Sequence, residues 1–150
     1  MGSTKFAERL KELLDWENVS GYNFAKMTGI PLKSVHNWLR GVYYPSYKAL
    51  CILTEYFNVS SDYLLGLTDV YEERKFSKDN AENGQRALSG YLQEYLRNNA
   101  CSRYQLAKNL GVGQTTMERW LQEGSMPETA ILIRIAELLD MSIDDLLNRG

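Results

Sequence analysis

Residues 20–41 read S-G-Y-N-F-A-K-M-T-G-I-P-L-K-S-V-H-N-W-L-R-G. Ser20 is of the residue type that caps helix N-termini, its hydroxyl accepting from an amide in the first turn. Gly29 supplies the left-handed backbone that stops a helix abruptly, and Pro31 suits the first turn of another. The stretch predicts a short helix, a tight turn and a further helix over about residues 31–40. Residues 102–124 read S-R-Y-Q-L-A-K-N-L-G-V-G-Q-T-T-M-E-R-W-L-Q-E-G. They follow the same plan, with Ser102 as cap, Gly111 as stop and a further helix over about residues 113–122.

The likeness runs well beyond these stretches. A shift of 82 aligns residues 6–68 with 88–150 without a gap, and 17 of the 63 pairs are identical, among them Trp38/Trp120, Pro45/Pro127 and Leu64/Leu146. Pairs such as Phe24/Leu106, Val35/Met117 and Leu53/Ile135 keep their apolar character where identity is lost, so the core pattern repeats. In each copy apolar residues recur at three and four, as with Phe6, Leu10, Leu13 and Leu14 against Leu88, Leu92, Tyr95 and Leu96, which predicts helix and no strand. Fourth helices follow Pro45 and Pro127, and Ser60 and Ser142 cap fifth ones. The expected fold is all-α: two tandem five-helix domains over residues 1–69 and 87–150, joined by a linker over 70–86 that is rich in charge and poor in apolar residues.

Composition narrows the function classes. The 150 residues carry a net charge of −2 and a pI near 5.5 with 44% hydrophobic residues, so there is no basic tail and no low-complexity segment. No apolar run approaches the roughly 18 residues of a membrane span. Residues 1–4 lead into amphipathic sequence without a signal-peptide core, and a cytoplasmic location is expected. Cys51 and Cys101 are expected as small core residues, since each aligns with an aliphatic one, Ile133 and Val19. With His36 as the only histidine, close ligand spacing is lacking, and neither a metal nor a cofactor is expected.

Chemistry enters at the third helix. Stepping 100° per residue from Leu32 places Leu32, Lys33, His36, Asn37 and Arg40 between 0° and roughly 140°, with Val35 and Trp38 opposite. Lys and Arg donate to guanine edges or phosphates and Asn pairs with adenine, so this face is suited to a major groove. Residues 20–48 contain four bases, Lys26, Lys33, Arg40 and Lys48, and no acid, although the chain as a whole is acidic. Such segregation builds the positive field that phosphates require. The loop G-V-Y-Y-P-S-Y-K over 41–48 adds the hydroxyls of Tyr43 and Tyr44 and the start of the fourth helix. The corresponding face of copy two is Gln114, Thr115, Glu118, Arg119 and Gln122. Over residues 102–130 three bases, Arg103, Lys108 and Arg119, are balanced by Glu118, Glu123 and Glu128.

These residues resemble the phage-repressor-like, Cro-type (lambda-repressor-like) helix-turn-helix domains. Copy one is similar through F-A-K-M-T-G-I-P-L-K-S-V-H-N-W-L-R-G, Pro45 and F-N-V-S-S-D-Y-L-L-G; copy two through L-A-K-N-L-G-V-G-Q-T-T-M-E-R-W-L-Q-E-G, Pro127 and L-D-M-S-I-D-D-L-L. The resemblance implies five-helix DNA-binding domains of the kind found in transcriptional regulators. It carries base contacts over to Leu32, Lys33 and Asn37 and to Gln114, Thr115 and Arg119, and a phosphate contact to Arg103, whose counterpart Gly21 has no side chain. Two departures stand out: Leu39 and Leu121 occupy a usually acidic position, and Gly124 comes one residue later than a counterpart of Gly41 would.

The partner expected is therefore double-stranded DNA, bound through Leu32, Lys33, His36, Asn37, Arg40, Tyr43, Tyr44 and Lys48 of copy one. Arg103, Gln114, Thr115, Arg119 and Gln122 are their counterparts in copy two. An enzyme is not expected, because no nucleophile with a base and no carboxylate pair in a cleft is evident, and Asp144 and Asp145 open a helix where acids favour the dipole. The alternative is a protein-interaction module, such as an antitoxin or repressor partner, with copy two as a dimerisation or effector surface and a homodimer or protein partner.

Overall fold

Hydroxyl caps set where the helices begin. In the computed structural model, which describes residues 2–76 and 81–149, the Ser20 side chain accepts from the Asn23 amide and opens α2 (Gly21–Thr28). Ser46 opens α4 (Tyr47–Phe57) and Ser60 opens α5 (Ser61–Leu64) in the same way. Each such cap is worth about 1 kcal/mol. Gly29, at φ 78°, ends α2, and Pro31 precedes α3 (Leu32–Leu39). With α1 (Gly2–Trp16), these helices form the unit Met1–Phe76. Its core is Phe6 and Leu10 of α1, Phe24 of α2, Val35 and Trp38 of α3 and Leu50, Leu53 and Phe57 of α4, all buried. Phe24 stacks on Phe57 at 5.6 Å, and Phe6 meets Trp38 edge-on at 6.2 Å.

The unit Ser77–Gly150 contains α6 (Ala81–Asn98), α7 (Arg103–Leu110), α8 (Gln114–Glu118), a π-helical turn (Arg119–Glu123), α9 (Thr129–Leu139) and α10 (Ile143–Leu146). Ser102 caps α7 in a reciprocal capping box with Gln105, and Ser142 caps α10. Leu88, Leu92, Leu106, Met117, Trp120, Leu132, Ile135 and Leu146 fill its core. Asp144 and Asp145 lie in the first turn of α10 as expected, and Asp144 is buried there with Arg149, their side chains 3.4 Å apart. The structure is helical throughout the described residues apart from its loops, turns and one isolated antiparallel bridge, Val59 to Glu73.

The linker expected over 70–86 is more structured than its composition suggests. Arg9, although a cation, is buried on α1 and donates to the carbonyls of Tyr63 and Thr68 and to the Asp69 carboxylate at 2.6, 3.0 and 2.8 Å. The Ser60 amide then donates to Glu72 and the Arg74 amide to Asn58. Residues up to 76 thus belong to the first unit, and 81–86 belong to α6, which starts before the expected position near Ala87. Ser77–Asn80 lie outside the described residues. The two cysteines are half-buried and not joined in a disulfide, so the expectation of core positions holds only in part.

Candidate nucleic-acid interface

In the first unit the buried side of α3 fixes what its other side presents. Val35 and Trp38 are held in the core while Lys33, His36 and Arg40 are exposed and Leu32 and Asn37 are half-buried. The helix leaves through Gly41 at φ 72°, with the Val42 amide donating to the Asn37 carbonyl and the Ser3 hydroxyl to the Gly41 carbonyl at 2.9 Å. The chain then turns so that the Tyr43 hydroxyl accepts from Asn37 Nδ2 at 3.1 Å. One amide hydrogen and the carbonyl oxygen of Asn37 are left to present, which is the donor–acceptor pair that adenine matches in the major groove.

Tyr43 and Lys48 also line an open cleft of about 460 Å³ with Gly29, Pro31, Ser34 and Ser46, next to the N-terminus of α4. Lys33, Asn37, Arg40, Tyr43 and Lys48 accordingly lie on or beside the α2–α3 turn and the α3 exit. Tyr44 takes another course. It is half-buried, with its ring 6.4 Å from that of Phe6 on α1.

In the second unit Met117 and Trp120 occupy the core, and Gln114, Thr115, Arg119 and Gln122 are exposed. Arg103, at the start of α7, does not face solvent alone: its guanidinium meets Glu118 of α8 at 2.6 Å. The cation expected to touch phosphate is thus neutralised by an acid that stands where the first unit has His36. The late glycine has a structural explanation as well. The helix is α-helical only to Glu118, and Arg119–Glu123 make a π-turn that takes up one extra residue before Gly124, at φ 79°. Carbonyls in this turn are met from α6, Gln85 donating to Trp120 at 2.8 Å and Ser89 to Leu121 at 3.0 Å. Gln85 lies 82 residues after Ser3, so the same position of the first helix seals the exit in both units.

Two tyrosines were not singled out from the sequence. Tyr22 and Tyr104, identical across the repeat, are 61% and 62% exposed in the first turns of α2 and α7. Burial cannot account for a large aromatic kept at such a position in both units.

The described residues contain no helix long and apolar enough to cross a membrane, and no cluster of three or more metal-ligating side chains. No curated protein and no solved structure matches the chain. Residues 97–149, about a third of the chain and all within the second unit, match in one copy the family model of the bacteriophage CI repressor helix-turn-helix domain, which points to a DNA-binding transcription regulator.

Proposed function

We propose that the chain is a transcriptional repressor that binds double-stranded DNA in the cytoplasm through two tandem helix-turn-helix domains, each placing its third helix in the major groove. The observation that carries this reading is the α3 face: Lys33, His36 and Arg40 exposed, Asn37 oriented by Tyr43, and no acid anywhere in residues 20–48. The match of residues 97–149 to a repressor helix-turn-helix supports the same function for the second domain. The first domain supplies most of the phosphate attraction, because the Arg103–Glu118 pair offsets charge in the second. Gln114, Thr115 and Arg119 remain exposed and suited to base edges.

Selection of binding sites from a random duplex pool by the intact chain tests this. Two distinct half-sites are expected. A single half-site, unchanged when residues 87–150 are deleted, would confine reading to the first domain, and absence of duplex binding at low salt would refute the function itself.

A further inference from the structure

On the first unit, a groove of about 760 Å³ lies between the C-terminal half of α1, the end of α4, α5 and the strap that follows, and it shares no residue with α3. Leu13 and Phe57 form its floor, and Trp16, Tyr63 and Tyr71 its walls. Trp16 is 87% exposed and Tyr71 57%. Leaving two large rings largely in water forgoes apolar burial of roughly 25 cal/mol per Å²; Tyr71 meets Tyr63 edge-on at 5.4 Å, so the two tyrosines form one aromatic wall. The volume falls in the range of roughly 300–1,000 Å³ typical of small-molecule sites.

Charge specifies the occupant. Every ionisable carboxyl or cationic side chain lining the groove is an acid: Glu12, Asp15 and Glu17. Asp15 has only a solvent-exposed partner, Lys11 at 3.9 Å, which is weak, and among the described residues Glu12 and Glu17 have no ion pair. The negative end of the α1 dipole reaches the same place, and the last turn of α1 contains no basic residue to offset it. The aromatic wall already holds a cation, since the Arg9 guanidinium lies 4.0 Å from the centroid of the Tyr63 ring.

From these features we infer that the groove is a binding site for a small organic cation with an apolar body, an ammonium or guanidinium carried on an aromatic or aliphatic group. The charged head sits among the acids and the apolar body against Trp16 and Tyr71. The site stands independently of what α3 reads.

The test uses the full chain and the fluorescence of Trp16, because Trp38 and Trp120 are buried and supply a constant background. The probe is 2-phenylethylammonium, compared at matched ionic strength with the neutral 2-phenylethanol. Saturable change of the Trp16 emission is expected, with the ammonium bound about fivefold more tightly than the alcohol. Glu12→Gln with Glu17→Gln should bring the two within about twofold, and Tyr71→Ala should weaken both; each of these residues is exposed, so the variants keep the reporter and the fold. No saturation, or equal affinity for both probes in the parent chain, overturns the inference. So does self-association in sedimentation that Trp16→Ala abolishes, which would assign the groove to a second copy of the chain.

Discussion

Arg103 and Glu118 meet across the α7–α8 turn at 2.6 Å, a cation of one helix start held by an acid of the next helix. The pair is part-exposed, at 43% and 29% of the side chains, so its contribution to stability is small, roughly 0–1 kcal/mol. Its larger effect falls on any anion that approaches. Glu118→Gln should therefore leave thermal stability nearly unchanged and raise affinity for duplex DNA, with the salt dependence steepened by about one unit as Arg103 becomes free for phosphate. Titration of a labelled duplex at several salt concentrations measures this, and an unchanged slope would show that Arg103 stays away from the backbone.

Lys33 is exposed on the polar side of α3. Lys33→Ala should cost about 1–3 kcal/mol in binding the preferred site if the ammonium reads a guanine edge. If it touches phosphate alone, the loss should be similar on every duplex, with the salt slope reduced by about one. Competition between specific and scrambled duplexes distinguishes these results, and no loss on either would remove Lys33 from the interface.

Tyr43→Phe deletes the hydroxyl that accepts from Asn37 Nδ2 and little else, since the ring is exposed. The exposed hydrogen bond is worth about 0.5–1.5 kcal/mol at most. Binding should accordingly weaken little, but preference at the base that faces Asn37 should relax, because the amide loses the partner that fixes its orientation. Site selection repeated with this variant checks the result at single-base resolution.

Gln85→Ala should destabilise the second unit by about 1–3 kcal/mol, because the Trp120 carbonyl in the π-turn loses its donor from α6. Ser3→Ala, which removes the corresponding bond to Gly41, should cost less, since that carbonyl lies beyond the end of α3, at the edge of the core. Chemical denaturation of the two variants compares them. Equal midpoints would mean that the π-turn needs no support from α6.

Cutting the chain within residues 77–80 should weaken DNA binding more than any single contact change if both domains read one site, because the tether provides a local concentration that separate domains lack. Equal affinity of the cut and intact chains would leave the first domain as the sole reader.

The sequence by itself determined the helices and their ends. Ser20, Ser60, Ser102 and Ser142 cap where expected, and Gly29 and Gly111 adopt left-handed backbone, because caps and stops depend on atoms within one turn of each other. The polar face of α3 was legible for the same reason: periodicity assigns Val35 and Trp38 to the core and leaves Lys33 and His36 outside. Only the tertiary structure decided which neighbouring tyrosine turns outward, Tyr43 toward Asn37, and which turns in, Tyr44 toward Phe6, since adjacent loop residues have no period to separate them. It also decided that Arg9 anchors the start of the expected linker, that Glu118 neutralises Arg103 from 15 residues away, and that α6 supports the π-turn. Those contacts join residues that the chain brings together only after its helices have packed, and composition or spacing along the sequence does not record them.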